Sequence, residues 1–366
     1  MGSGMDRIID DPLAITPSWL EGQLRCIPSF KDLKVTSVET ETIGAATGFL
    51  SRIARLTPSY GANAPQAPST LILKVQTNRE GFTDVAERLQ AFERELGFYK
   101  DFAPDLQARL PRIFGGYAEG GKGWILMEDL SSWSQGDQVF GISHDQVKST
   151  LKTMAAVHAG YWQCDQLGLK SWLPRHDFWF HDDLAVTWEA VKESYALRLG
   201  EAAVALTDRV GNNYETLIAQ LDALPQTLVH GDLRADNLLL SSPASSGSDV
   251  IVIDWQTVTR SLACIDLAFL IGGSEPTAER HGHPQDPLRY WHQQLVAHGV
   301  CDYTYQQALH HLRLALLICL AVPVVAFREL DGPNFHTARE AQLAECFLFR
   351  HTQAALDWSA EIALQD

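Results

Sequence analysis

Val229-His230-Gly231-Asp232-Leu233-Arg234-Ala235-Asp236-Asn237-Leu238 is the stretch on which the reading of this 366-residue chain turns. Thr227-Leu228-Val229 leads into it as a short apolar strand, and Leu238-Leu239-Leu240 leaves it as another. A Ser/Gly/Pro-rich loop over 241–249 follows. Val250-Ile251-Val252-Ile253 then makes a third apolar run, ending on Asp254-Trp255-Gln256. Asp232 and Asn237 fall on one loop, and Asp254 emerges at a strand tip. Read alone, His230 to Asp232 is a turn and Asp254 a helix cap; the order and spacing of both halves together carry the chemistry.

Around this island the text is helical. Val147, Leu151, Met154, Val157 and Tyr161 keep helical spacing, as do stretches near 184–206, 210–222, 288–298, 305–320 and 338–363. Before about residue 131 the texture is strand-rich. Val35 to Ile43 alternates apolar and polar residues, the turn Gly44 to Gly48 follows, and Phe49 to Leu56 is apolar. Residues 58–69 read as a loop, Thr70 to Val75 and Trp124 to Met127 as buried strands. Val85, Leu89, Phe92, Leu96 and Tyr99 mark one face of a single helix. The fold expected is α+β: an N-terminal antiparallel sheet plus helix, then a larger, mainly helical lobe with a small β insert. Residues 1–5 read as an expression scar, 6–130 as the N-terminal lobe with a connector starting near 128, and 131–366 as the C-terminal lobe.

Composition excludes several classes. The 29 Lys+Arg against 45 Asp+Glu leave a net charge of −16. That disfavours a nucleic-acid footprint, which needs clustered cations, and docking on an anionic membrane. No basic segment followed by an apolar run opens the chain, so no secretory signal is expected. Leu312 to Phe327 is apolar but contains Arg313 and Pro323, and reads as a buried helix. Six scattered cysteines without a C-x-x-C pair suggest reduced thiols in a cytoplasmic protein.

The H-G-D-x-x-x-x-N loop at 230–237 and the I-D-W at 253–255 resemble the aminoglycoside phosphotransferase/choline kinase-like superfamily, relatives of the protein kinases. Asp266-Leu267-Ala268, the strand Lys74, the helix Glu95 and Ile125 to Glu128 extend the resemblance over roughly residues 35–350. Arg234 and Asp236 depart from the commonest antibiotic-kinase loop; with I-D-W-Q they look more like the ecdysteroid kinase-like branch. The resemblance implies a bilobal protein-kinase-like fold and an ATP-dependent small-molecule kinase, with GTP as an alternative donor, Mg²⁺ as cofactor and a hydroxyl compound as acceptor. Oligomeric state is not legible.

In this chemistry the protein mainly positions groups in line and neutralises spread negative charge. The resemblance makes Asp232 the base at the attacking hydroxyl. Asn237 and Asp254 are the oxygen ligands for Mg²⁺. His230 orients the loop, and Arg234 either meets substrate or pairs internally with an acid such as Asp236. Lys74, in the apolar run LILKV, reaches the phosphates and needs a carboxylate, for which Glu95 is preferred over Glu93. Gly44 to Gly48, with Ser51, would cover the phosphates with backbone N–H groups. Met127, Glu128 and Leu130 would face the adenine, and Asp266 would brace the catalytic loop through backbone N–H groups.

Other signals read blandly. Gly116 to Lys122 matches the start of a P-loop, but Gly123 replaces Ser/Thr and a strand follows, so it is a hairpin turn. His281-Gly282-His283 and His176 with His181-Asp182-Asp183 read as solvated loops, and His158 as a packed core histidine. The aromatics between Trp172 and Trp291 are mostly core. A non-catalytic pseudokinase or sensor is the alternative function, though the catalytic set is undamaged.

Overall fold

The computed structural model describes residues 8–9, 11–43, 50–61, 66–79, 82–180, 184–241, 250–330 and 337–364. Two compact units divide the chain. The first comprises Met1–Asp105, Leu110–Ser132 and Ile253–Gln256; the second comprises Leu106–Arg109, Trp133–Val252 and Thr257–Asp366.

The first unit contains α1 (Pro17–Arg25), β1 (Val35–Ile43), β2 (Ser51–Tyr60) and β3 (Leu71–Gln76). It continues with α2 (Phe82–Leu89), α3 (Ala91–Asp101), β4 (Ile113–Glu119) and β5 (Lys122–Glu128). The strands form one antiparallel sheet in the order β1-β2-β3-β5-β4. Alternation divides its faces. Ala54, Leu56, Leu71, Leu73, Val75, Trp124 and Leu126 are buried, and most of them pack with Leu20 and Leu24 of α1. Ile53, Ile72, Lys74, Ile125 and Met127 lie on the opposite face by register.

The second unit opens with β6 (Ser134–Gln135), α4 (His144–Gly160), α5 (Leu184–Leu199) and α6 (Glu201–Gln220). Four short strands follow: β7 (Thr227–Val229), β8 (Leu238–Leu240), β9 (Val250–Val252) and β10 (Thr259–Ser261). Then come α7 (Cys264–Phe269), α8 (Thr277–Gly282), α9 (Asp286–Ala297), α10 (Tyr305–Ile318), α11 (Ala321–Leu330) and α12 (Ala338–Asp357). Capping boxes Ser143/Gln146, Thr304/Gln307 and Thr337/Glu340 start α4, α10 and α12, each satisfying orphan backbone donors. Small sheets β6-β8-β9 and β10-β7 carry the loop that begins at His230. The α+β architecture expected from the sequence is therefore present.

Several boundaries differ from expectation. Pro58 lies inside β2, opposite Val38, because β2 pairs with β3 only from Ser51 to Leu56; past that point one side of the strand needs no donor. The helical face from Val85 to Tyr99 spans two helices, broken at Gln90, which adopts a left-handed φ of 50°. The break between α5 and α6 is at Gly200, rather than near 206–210. α12 ends at Asp357, and left-handed Ser359 precedes a short 3-10 turn. Tyr305–Ala326 is long and apolar enough to cross a membrane by composition, and 83% of its most apolar window is buried inside the fold. The six cysteines are free thiols, Cys264 and Cys319 being buried.

Gly200 has φ 77° and ψ 166°, a conformation essentially restricted to glycine, and an added Cβ would meet nothing within 4 Å. Gly200→Ala is therefore expected to cost about 1–3 kcal/mol through backbone strain alone. Urea denaturation should show a lower midpoint at unchanged slope; an unchanged midpoint would remove the strain argument.

Candidate active site

In the first unit a buried lysine gathers two carboxylates. Lys74 sits mid-β3, opposite Ile53 on one side and Ile125 on the other, and is 4% exposed. Its Nζ donates to Glu95 Oε2 at 2.6 Å and to Asp254 Oδ1 at 2.7 Å. Glu95 is reached from α3, whereas Glu93 accepts the backbone N–H of Gly121 at 2.9 Å. Burial pushes the Lys74 ammonium down, but Asp254 and Glu95 outweigh it and hold the pKa above its ordinary value. Burial raises Glu95 to about 7, against the pull of Lys74; the charge of Asp254 adds to the rise. Asp254 has a left-handed φ of 67°, a conformation that aspartate tolerates better than most residues. Beside it, fully buried Trp255 stacks on Phe98 of α3 at 3.8 Å and 7°.

Ser51 and Met127 share the sheet face of Lys74 by register, Ser51 pairing with Gln76 and Met127 with Ile72. Glu128 pairs with Leu71 and so belongs to the other face; its carboxylate accepts the Arg112 N–H at 3.0 Å. Leu130 is buried beyond the strand end. Gly44 and Gly48 lie outside the described residues.

In the second unit the loop after β7 is held from beneath by Asp266 of α7, which is fully buried. Its Oδ2 accepts His230 N–H at 2.9 Å and its Oδ1 accepts Gly231 N–H at 3.0 Å. His158 of α4 meets Oδ2 through Nε2 at 3.1 Å, and its Nδ1 accepts from Trp291 Nε1 at 3.1 Å. Indole only donates, so His158 carries its proton on Nε2. Gly231 has φ 81°, and a Cβ there would lie 2.5 Å from the Thr257 carbonyl oxygen. No other residue fits that turn without moving backbone. His230 accepts from Thr257 Oγ1 through its carbonyl at 2.9 Å, and its Nδ1 accepts Asp232 N–H at 3.3 Å.

Asp232 is gripped from its own loop. Its Oδ2 accepts from Arg234 Nε at 3.1 Å and Asn237 Nδ2 at 3.1 Å. Asn237 Nδ2 also donates to the Asp232 carbonyl at 2.8 Å. Arg234, left open by the sequence between substrate and an internal acid, is 6% exposed and also bonds Asp236. Burial opposes its charge, while Asp232 and Asp236 outweigh burial and raise its pKa. Asp236 further accepts from Gln138 N–H at 2.9 Å and Arg339 at 3.2 Å. Ala235 N–H is shared between Gln138 Oε1 and Ser274 Oγ, each at 2.9 Å.

Sequence reasoning missed Gln138, Ser274 and Arg339, which come from distant segments with no local signal. His158 is the packed core histidine expected, and its added role is explained by burial: a histidine on an apolar helix stripe needs a polar partner, and Asp266 inside Cys264–Phe269 needs one too. His176 is corrected from a solvated loop to a buried residue bonded to Ser261 at 2.8 Å. Burial depresses its pKa to about 4; residues 181–183 lie outside the described chain. Gly116 to Lys122 is part of the β4–β5 hairpin, turning at left-handed Gly120 and Gly121.

An antiparallel sheet with a buried lysine-carboxylate pair, and a larger helical unit whose H-G-D-x-x-x-x-N loop is clamped by a buried aspartate, define an α+β fold of the protein-kinase-like superfamily. The chain belongs to the phosphotransferase enzyme family, whose model matches residues 63–296. It is similar in fold to the choline kinase of Cryptosporidium parvum Iowa II, at 13% identity and a TM-score of 0.55, covering 95% of this chain and 96% of that one. It is also similar to an ethanolamine kinase of Plasmodium vivax, at 10% identity and a TM-score of 0.51, covering 86% and 82%. No curated protein matches the chain.

Two outcomes follow from the Lys74 cluster. Lys74→Met strands two carboxylates and should cost about 3–5 kcal/mol, as for breaking a buried pair. Adding Glu95→Gln should recover part of that loss; additive costs in a double-mutant cycle would deny the coupling. Glu95 has a folded value near 7 against an ordinary 4.5, so its proton stabilises the fold at low pH, and that stability is lost as pH rises through 7. Glu95→Gln keeps a neutral group there, so its stability relative to wild type should rise between pH 4.5 and 7. A flat difference would mean that Glu95 is ionised throughout.

Proposed function

We propose that this chain is a small-molecule kinase that moves the γ-phosphoryl group of ATP, with GTP as an alternative donor, to a hydroxyl group of a small acceptor. Membership of the phosphotransferase family supports the reaction class. The observation that carries the assignment of parts is Lys74, a buried cation fixed by Glu95 and Asp254.

Lys74 would meet the α/β-phosphates, with Glu95 setting the direction of its ammonium. Backbone N–H groups near Gly44 and Gly48, with Ser51 and Met127 on the Lys74 face, would complete the nucleotide's surroundings. Asp232 would accept a hydrogen bond from the acceptor hydroxyl and take its proton as the new P–O bond forms and the bond to the β-phosphate oxygen breaks. Arg234 and Asn237 hold the Asp232 carboxylate in one orientation, so Arg234 acts as a positioning residue. His230 positions the loop through its own backbone.

Each of the two proposed ligands offers an oxygen donor of the kind a hard dication takes. Asn237 commits its NH₂ to Asp232, which leaves its Oδ1 as the ligand atom, and the Asp254 side chain is 33% exposed. Mg²⁺ held by Asn237 and Asp254 would neutralise charge on the phosphates. Of the aromatics between Trp172 and Trp291, Phe178, Phe180, Trp188 and Trp291 are buried and belong to the core.

Asp232→Asn tests the mechanism. Thermal stabilisation by Mg·ATP should remain close to wild type, while transfer to an acceptor found by an ATPase-coupled screen of hydroxyl compounds falls about 10²–10⁴-fold. Unchanged transfer would remove Asp232 from the reaction. Nucleotide stabilisation lost in Lys74→Ala and Asp254→Ala, without turnover on any acceptor, would instead mark a non-catalytic nucleotide-binding module.

A further inference from the structure

Three side chains that phosphoryl transfer does not use converge at the ends of α4, α8 and α9. His144 opens α4, His283 follows the last residue of α8, and Asp286 opens α9. One ligand atom from each lies within 4.8 Å of the other two. His281, two residues before His283, is not part of the group; it lies in α8, with Nε2 3.0 Å from Asp357 Oδ2.

The state of His144 is what points to a ligand. The residue is 8% exposed, and its Nδ1 lies 3.0 Å from Oε1 of Glu275, which is fully buried. With the carboxylate as acceptor, Nδ1 carries the proton and Nε2 is left to present a lone pair; Glu275 Oε2 is itself sealed without a partner. That Nε2 is sealed from solvent and has no hydrogen-bond partner. The nearest carboxylate oxygen facing it, Asp286 Oδ2, is 3.9 Å away, too far for a hydrogen bond. The His283 ring lies flat on the His144 ring, centroids 4.1 Å apart and 16° from parallel. A buried, unpartnered imidazole nitrogen thus lies within 4.8 Å of a ligand atom of a second imidazole and of a carboxylate.

We propose that His144 Nε2, His283 and Asp286 bind a divalent transition-metal ion of the zinc class. Two imidazoles and one carboxylate suit zinc, cobalt or nickel rather than magnesium or calcium, which prefer oxygen ligands. Three protein ligands leave the fourth tetrahedral position to water. Glu275 supplies the carboxylate that fixes the ring and tautomer of a metal-bound histidine. Bonds near 2.0–2.1 Å bring tetrahedral ligand atoms to about 3.3 Å from one another, and the in-plane lone pairs of two stacked rings do not converge, so exposed His283 must tilt off the His144 ring and close on it together with Asp286. The ion would tie three helix ends together and stabilise the fold by mass action. The rival arrangement is a doubly protonated His144 between Glu275 and Asp286, which takes up no metal.

The test uses the full chain after chelator treatment, with Zn²⁺ or Co²⁺ alone as the probe and no nucleotide or acceptor. One equivalent should bind, Co²⁺ should develop the visible absorption of a tetrahedral N/O site, and the melting temperature should rise. His283→Ala and Asp286→Asn alter exposed side chains and should fold normally, yet each should weaken Zn²⁺ binding at least about tenfold. Glu275→Gln should weaken it about 10–100-fold through the loss of the orienting carboxylate. His144→Ala should abolish the cobalt spectrum. Absence of uptake by the wild type would overturn the proposal, as would uptake unchanged in both His283→Ala and Asp286→Asn. Mg²⁺ displacing Co²⁺ at equal concentration would overturn the assignment of metal class.

Discussion

The second unit depends on one buried charge. Asp266 has no exposed surface, and an isolated carboxylate there would be far too costly to keep. It is kept because three donors converge on it: the N–H groups of His230 and Gly231, and His158 Nε2. Each donor is immobilised in turn. Trp291 fixes the His158 tautomer, and the Thr257 carbonyl leaves room only for glycine at 231. The loop that follows therefore starts from a fixed backbone. Gln138 and Ser274 pin its far side at Ala235, so the side chains between the two anchors have little freedom.

The first unit repeats this logic with the opposite sign. Lys74 is a buried cation, and two carboxylates satisfy it. Asp254 reaches Lys74 because Ile253–Gln256 leaves β9 and packs with the first unit. The Trp255 stack on Phe98 anchors that segment, and the left-handed turn at 254 aims the carboxylate. An aromatic next to the aspartate thus fixes where the charge sits, which gives the I-D-W text a physical meaning.

Much of the architecture was legible because strand alternation and helical spacing are local. The short runs around the H-G-D loop proved to be β7, β8 and β9, and the capped helices begin where Ser or Thr precedes Gln or Glu by three residues. The failures have a common cause. Gln90 turns left-handed without glycine or asparagine to announce it, so α2 and α3 looked like one helix. Pro58 signals a loop in any sequence, and only the end of the β2–β3 pairing explains why a strand accepts it. At the candidate site, a lysine inside Leu71–Gln76 plainly needs a carboxylate. That Arg234 is shared between Asp232 and Asp236, and that Gln138 and Ser274 hold Ala235, depends on residues far apart in the chain.

Charge arithmetic at these two clusters bears on the kinase reading more than the net −16 does. Lys74 stands against two carboxylates, Glu95 and Asp254. Arg234 and Arg339 stand against Asp232, Asp236 and Asp137. Each cluster is short of positive charge before any phosphate arrives. A protonated Glu95, with its pKa near 7, brings the first cluster to neutrality and leaves the deficit in the second untouched. A nucleotide triphosphate brings several more negative charges, which the side chains alone cannot balance. Under the proposed reaction a dication would supply the missing positive charge, and Asn237 and Asp254 would each offer it an oxygen. In such a site the acids do not repel the substrate so much as recruit the cation that admits it.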